Sequence, residues 1–353
     1  MAAAIADDRR ELTAIINRAQ ALNFAGTPAQ SIELTEPALR RCIEVRLDDL
    51  ELLARYTIGQ AYYAAGDFRK TADLLSSQIG RLRGENVLKR FGTAGTTSVL
   101  FLVMIGVASA SMGAFHQSRP ALEEAYEIAE RTGRPYDSVS CSYGRGILAM
   151  YSGDASAAIA ELRTGLDLCR EYSINLFVPL IVGQLGAALT TVGSHDQAIR
   201  LLDRVVLESQ SLGHSAATAF ANYALAAAYR EAGRHQEALD LVEPCLRTAT
   251  RYGFRGVEMR LLHLLGMLNA DMSDAHAAEI LLSRSIELAR NLEAWPNIAQ
   301  GQLALADTWL KAGKLARAAE AVDSAITIYE KLGCDSLAKK AQALRQISFG
   351  NAG

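Results

Sequence analysis

Proline is scarce in this sequence, seven residues in 353, and aromatic side chains account for only 7%. So little proline excludes collagen-like and proline-rich extended chains and leaves room for uninterrupted helices. The five cysteines, Cys42, Cys141, Cys169, Cys245 and Cys334, are odd in number, scattered and never in a CxxC pair. That excludes a disulfide framework and a zinc finger, so they read as small apolar fillers in a reducing compartment. A basic excess is also missing, since 36 Lys and Arg face 39 Asp and Glu for a net charge of −3. No nucleic-acid partner is expected without a cationic face to release counterions. The most hydrophobic run, Val99 to Val107, is about half of the roughly 20 residues that a membrane helix needs. The Ala-rich opening, Met1 to Ala6, carries no charged n-region with an apolar core. The expectation is a soluble, cytoplasmic protein with no membrane partner. GxxxxGK[ST], HExxH and GxSxG are all missing, and GTAGTTS at 92 to 98 lacks the lysine of a phosphate loop. No catalytic residue, cofactor or metal is expected, and the chain reads as a non-enzyme.

What the sequence has is a rhythm. Gly26, Gly66, Gly153, Gly193, Gly233 and Gly313 fall on a 40-residue period, with Ser273 in one slot and Gly113 seven residues late. A second series runs 20 residues behind, through Gly133, Ser173, Gly213, Gly253 and Gly333, with Glu293 as its exception. Two turns per period imply two helices, A and B, and self-similarity at such a spacing is the mark of a solenoid. The fold class is all-α, an α-solenoid of about eight helix hairpins forming one elongated repeat domain.

Two rows of small residues follow from this register. Five residues after each A–B turn come Ser31, Thr71, Ser118, Ala158, Ala198, Ala238, Ala278 and Ala318. Seven before it come Ala19, Gly59, Gly106, Gly146, Gly186, Ala226, Gly266 and Ala306. Glycine inside a helix costs about 1 kcal/mol relative to alanine, so its repetition argues that helices A and B cross closely there. The residue before the second row is bulky and apolar except at Arg18 and Arg145.

These rows resemble the tetratricopeptide repeat family. Its order of large apolar, small, aromatic, turn glycine and alanine is carried by Ile58-Gly59, Tyr62 and Gly66, and by Leu225-Ala226, Tyr229, Gly233 and Ala238; Trp309 takes the aromatic slot of the last repeat. The resemblance spans about residues 12 to 333. It departs from the family in its longer period and in lacking the proline that closes helix B. The resemblance implies a right-handed superhelix and a protein- or peptide-binding role. The segment Gly153 to Val206 is also similar to C-terminal helical regions of bacterial multi-domain signalling proteins that carry a cyclase or ATPase module, although neither module lies in this sequence.

The organisation expected is a tail over 1–10, repeats over 11–333 and a capping helix with tail over 334–353. In the cap, Leu337, Ala341, Leu344 and Ile347 cover the last repeat. The late Gly113 marks an insertion near Arg81 to Thr97, read as an extended helix B followed by a loop in preference to a purely irregular segment. Pro135, Pro179 and Pro296 fall at starts of A helices, whereas Pro244 lies inside a B helix, where a kink is expected. His195, His235 and His276 recur one repeat apart, at about 10 Å, too far to share a metal, and read as solvated turn residues. Glu123, Glu124, Glu127 and Glu130 read as a solvated helix face.

The resemblance places one stripe of helix A on the concave surface, at −6, −3, +1 and +4 from the small landmark. The stripe supplies Tyr56, Gln60 and Tyr63, then Tyr143, Tyr223 and Arg230, then Arg260, His263 and Asp307. Tyrosine and arginine suit peptide recognition, against the alternative that each tyrosine packs between helices with only its hydroxyl wet. In two repeats the stripe turns apolar, at Leu100, Val103, Val107 and Ala110 and at Leu180, Gly183 and Ala187. This is either buried core or a patch for a second copy of the chain. The leading expectation is thus a regulatory or scaffolding module binding a protein or peptide. The alternatives are a domain sensing a small effector and a self-assembling homo-oligomer.

Overall fold

The computed structural model describes residues 2 to 209 and 216 to 349. The expected turn at Gly213 lies outside the described residues. Within them the chain forms 17 α-helices and no strand, most of them paired as A–B hairpins. The pairs are α1 (Ala2–Phe24) with α2 (Pro28–Glu44), α3 (Asp48–Ala65) with α4 (Phe68–Ser76), α5 (Thr97–Met112) with α6 (Phe115–Thr132), and α7 (Pro135–Ser152) with α8 (Ala155–Glu171). Next come α9 (Val178–Thr191) with α10 (His195–Ser209), α11 (Ala216–Glu231) with α12 (His235–Tyr252), α13 (Arg255–Asp271) with α14 (Ala275–Asn291), and α15 (Trp295–Lys311) with α16 (Leu315–Lys331); α17 (Asp335–Phe349) stands alone at the end. The solenoid is as expected, but α1 begins at Ala2, so most of the segment assigned to a tail is helical, and Arg9 pairs with Asp49 of α3 at 2.7 Å.

The periodic turns share one geometry. Asp67 N donates to Tyr62 O at 2.8 Å, Asp154 N to Ala149 O at 2.9 Å and Phe254 N to Ala249 O at 2.9 Å, the six-to-one bond that closes a left-handed helix cap. The non-glycine occupants obey it too, since Ser173, Ser273 and Glu293 have φ of 55°, 67° and 54°, and Arg46 joins them at 57°. The backbone conformation therefore repeats even where the glycine does not.

The two small rows touch. Ser118 Oγ donates to Gly106 O at 2.8 Å and Thr71 Oγ1 to Gly59 O at 3.2 Å, each joining helix B to helix A. Every interior glycine of the landmark row also faces a leucine sixteen residues on. A Cβ added at Gly106, Gly146, Gly186 or Gly266 would lie 2.5, 2.6, 2.4 or 2.7 Å from a side-chain carbon of Leu122, Leu162, Leu202 or Leu282. Where the landmark is alanine, at Ala226 and Ala306, the residue sixteen on is the smaller Val242 or Val322, and both are fully buried. The pair thus keeps its summed volume roughly constant, as a close-packed interior requires.

The insertion departs from the extended helix expected of it. Helix α4 stops at Ser76, and the chain then makes two short 3-10 turns, Ile79–Leu82 and Gly84–Asn86, before an irregular run to Thr96. Tertiary anchors outcompete helix extension here. Leu82 is buried, and the fully buried carboxylate of Asp137 accepts from Thr96 N at 2.7 Å and from Thr132 Oγ1 at 2.9 Å. The basic residues of the segment are held as well, Arg81 by Asp48 and Glu51 and Arg83 by Glu124.

Pro135, Pro179 and Pro296 occupy first-turn positions, and α12 runs through Pro244 without a break in its helical run. Arg145, the exception in the bulky row, is 40% exposed, pairs with Glu161 at 2.8 Å and lies 4.8 Å from the Tyr126 ring centroid. In the capping helix Ala338 and Ala341 are buried, while Ile347 is 86% exposed and covers nothing.

One superhelical turn closes in five repeats. Helix α3 meets α13, α5 meets α15, and Leu337 of α17 lies against the α7–α8 turn at Gly153. Arg69 Nε donates to Glu293 at 2.7 Å and Arg255 lies 3.7 Å from Asp67, bridging the same two turns. Helix α5 is therefore surrounded, and every one of its residues except Met104 is buried. This explains the apolar run Val99 to Val107: a helix buried all round is apolar all round. No helix among the described residues is long and apolar enough to cross a membrane.

Candidate functional site

The inner faces of the A helices converge on the superhelix axis, and the expected stripe residues divide there into three groups. Tyr56 and Tyr143 are only 9% and 7% exposed. Tyr56 stacks on Phe101 with centroids 6.1 Å apart, and Tyr143 meets Phe177 edge-on at 6.1 Å. Burial drives both hydroxyls well above the ordinary tyrosine pKa. They are core, and neither offers a surface to a partner. The apolar stripe fares likewise: Leu100, Val103, Val107, Ala110 and Gly183 are buried and Leu180 and Ala187 half-buried, which is the buried-core alternative. Gln60 is half-buried.

A second group forms a charged network at the open ends of α11, α13 and α15. Arg230 Nε donates to Asp271 at 2.7 Å, Lys311 lies 4.0 Å from Asp271, and Lys311 pairs with Asp307 at 2.8 Å. Arg230, Glu231, His235, Asp271, Ser273 and Lys311 line an open depression of about 530 Å³. Asp307 is more than half exposed, at its rim.

The third group surrounds Arg260. Its guanidinium lies 5.4 Å from the Tyr151 ring centroid, 5.5 Å from Phe220 and 6.0 Å from Tyr223, and it donates to the Tyr151 hydroxyl. Burial works against the charged form, but the hydroxyls of Tyr151, Tyr223 and Tyr63 outweigh it, and the pKa stays above the ordinary arginine value. Tyr63 stands close by, its hydroxyl 3.5 Å from Ser111 Oγ, with its pKa raised by burial and by Tyr151. His263, one helical turn on, is pushed down to about 4 by burial and by Arg230 and Arg260, so it is neutral at pH 7. A recess of about 10 Å³, room for one water-sized group, is lined by Tyr223, Met259, Arg260, His263, Ser285, Asn297 and Gln300. Asn297 is 9% exposed, and its Oδ1 has no hydrogen-bond partner.

Several of these residues were missed in the sequence although the stripe rule reaches them. Phe220 and Gln300 occupy the −6 slots of their repeats, and Asn297 extends the same stripe by one turn. Tyr151 lies off the stripe and reaches Arg260 only because the superhelix closes.

Burial raises the five cysteine thiols to about 11 or 12 and keeps them protonated, so none is an activated nucleophile. Among the described residues no group of three or more His, Cys, Asp or Glu is placed to hold a metal ion. His195 and His235 are half-buried at the starts of α10 and α12, and His276 is exposed in α14.

Residues 178–251 match the tetratricopeptide repeat family model. Over that segment the repeats are of the tetratricopeptide kind. No curated protein sequence matches this array at significant similarity. Its fold is similar to that of the Rap conjugation gene regulator of plasmid pLS20 in complex with the Phr* peptide, with a TM-score of 0.62 at 15% identity over 92% of this chain and 96% of that one. It is similar to NprR in complex with its cognate peptide NprX, at 0.61 and 15% over 85% of both chains. A Rap protein complexed with competence and sporulation factor gives 0.60 and 14% over 96% of this array and 98% of that chain. At such identities these likenesses speak for the fold.

Proposed function

We propose that this tetratricopeptide array is a non-enzymatic regulatory module of the bacterial cytoplasm that binds a short peptide or an extended protein segment along the inner face of α13. The observation that carries this reading is the layout of that face. Arg260, His263 and Asp271 share one side of the helix, joining the aromatic-lined recess at one end to the open 530 Å³ depression at the other. Eleven residues of helix span about 16 Å, which about five residues of extended peptide would match. Arginine among tyrosines, with the unpartnered amide oxygen of Asn297 nearby, offers both contact area and directed hydrogen bonds. Two of the similar structures named above are complexes with a peptide, which supports the reading.

The test is selection of short peptides on the full chain from a random library, followed by photo-crosslinking. Contacts mapping to α11, α13 and α15, with binding lost in Tyr223→Ala, are the expected result. Crosslinks confined to the B helices, or stabilisation by a metabolite with no peptide selected, would overturn it.

A further inference from the structure

We infer that the array self-associates end to end, the A–B turn edge of its last four repeats stacking on the B–A turn edge of the first four repeats of a second copy. The inference goes beyond peptide binding and uses a surface separate from the inner face of α13. Its basis is the seam that the superhelix makes with itself, where an A–B turn is covered by the B–A edge five repeats on. Gly66 packs against Gly256 and Leu292, and Gly113 against Pro296 and Leu332. The covering residues stand three after one B–A turn residue and one before the next. Ion pairs follow the same register. Arg69, three after Gly66, meets the turn residue Glu293, and Asp67, one after Gly66, faces Arg255, two after Gly253.

Farther along, the same edge is bare. Gly66 and Gly113 are buried, whereas Gly193, Gly233 and Gly313 are exposed, and a Cβ added to any of these three would meet nothing within 4 Å. Beside these turns Val192, Met272 and Leu315 are 46%, 47% and 57% exposed, and Ala232 and Ala312 are exposed with them. Apolar side chains gathered along one edge mark an interaction surface. With α17 in the ninth place, a second copy that continues the superhelix sets its first four repeats over the last four of this one. Transferring the register of the seam then gives specific pairs. Asp196, three after Gly193, faces Arg46 of the second copy, the turn residue that corresponds to Glu293. Arg234, one after Gly233, faces Asp48 of the second copy, which corresponds to Arg255. Both pairs join opposite charges, each with the signs of the seam reversed. Arg46 and Asp196 are exposed and have no ionic partner among the described residues. At the far end Gly313 and Leu315 come under Tyr136 and Tyr172 of the second copy, which stand three after Gly133 and one before Ser173. Tyr172 is 49% exposed and Leu176 beside it 46%. The two edges differ, so the contact is head to tail and adds copies without closing.

The experiment is sedimentation velocity of the full chain across a concentration series, at low and high salt. The expected weight-average mass rises past the dimer without a plateau and falls with added salt. Arg46→Asp alone and Asp196→Arg alone each set like charges face to face, and each should weaken association about tenfold. Mixed in equal amounts, the two variants restore an opposite pair at every contact between unlike chains, and association should return towards that of the wild type. A monomer at every concentration, a plateau at the dimer, single variants that associate like the wild type, or a mixture no stronger than its components would each overturn the inference. Both positions are exposed, and aspartate tolerates the left-handed backbone at 46. Should either charge variant fail to fold, Tyr172→Glu and Leu315→Glu lie on opposite sides of the same contact, and each must weaken association; undiminished association in both refutes the stacking.

Discussion

The constant-volume pairing of helix A glycines with helix B leucines can be tested at Gly146 and Leu162. An alanine Cβ at position 146 would sit 2.6 Å from Leu162 Cγ, and 2.7 Å from Cδ2, about 1 Å inside normal carbon contact. Overpacking of that kind costs about 1–3 kcal/mol, and the gain in helix propensity returns about 1 kcal/mol. Gly146→Ala should therefore lose about 1 kcal/mol net. Leu162→Val alone opens a small cavity and should cost about 1 kcal/mol as well. Together they recreate the arrangement already present at Ala226 with Val242 and Ala306 with Val322. The double variant should be close to wild type or slightly more stable, a coupling of about 1–3 kcal/mol in a urea-denaturation cycle. Additivity within about 0.5 kcal/mol would refute the argument that these two positions share one fixed volume.

Closure of the superhelix makes a related contrast. All three turn glycines Gly113, Gly153 and Gly233 have positive φ, but only the first two press on another superhelical turn, at 2.7 Å from Leu332 and Leu337 for an added Cβ, so Gly113→Ala and Gly153→Ala should cost at least about 1 kcal/mol more than Gly233→Ala in thermal or urea unfolding; equal costs would deny the contact. His263 has a folded pKa near 4, below its unfolded value of about 6.5. The unfolded chain therefore binds the extra proton, and stability should fall as pH drops from about 6.5 to 4, by at most about 3 kcal/mol from this group; His263→Gln should flatten that part of the profile, and an unchanged slope would be evidence against a buried neutral imidazole. Asp137→Ala leaves Thr96 N without its acceptor, while Thr132 Oγ1 keeps Ala129 O, at a cost of about 1–3 kcal/mol. Trypsin should then cut first between Arg81 and Arg90, and a cleavage pattern like wild type would show that the carboxylate does not hold the segment.

Much of this fold was legible because its determinants are local. A positive-φ turn every 20 residues and a small residue at fixed distances on either side specify hairpins without reference to anything more than a helix away. The Gly–Leu and Ala–Val exchange sixteen residues apart was equally visible in the sequence as a covariation between repeats. The insertion was misjudged because its determinant is tertiary: Asp137, some forty residues on, captures Thr96 and outweighs the helical continuation that phase alone favoured. The site was legible only as a stripe. The rule names Tyr223, Arg260 and His263, which line one recess in the structure, and it reaches Phe220 and Gln300. It placed Tyr56 and Tyr143 on the same surface because periodicity reports the direction a side chain takes from its own helix, while the superhelical pitch decides whether that direction ends in solvent or in another repeat.

The pitch also explains why the polar interior is confined to one end. With five repeats to a turn, α5 is enclosed by its own neighbours and by α15, so every direction from its axis meets protein and Val, Leu and Ala are the side chains that fit without orphaned polar atoms. The stripe residues facing it, Tyr56 and Tyr143 among them, are drawn into the same core. Helices α11, α13 and α15 keep Arg230, Arg260, His263, Asn297 and Gln300 on their inner faces. A half-buried arginine without a carboxylate and a buried amide oxygen without a donor reduce stability where they stand. The Gly–Leu and Ala–Val pairs show how closely this array packs its core elsewhere. Under the proposed reading a bound segment supplies the groups that these polar atoms lack.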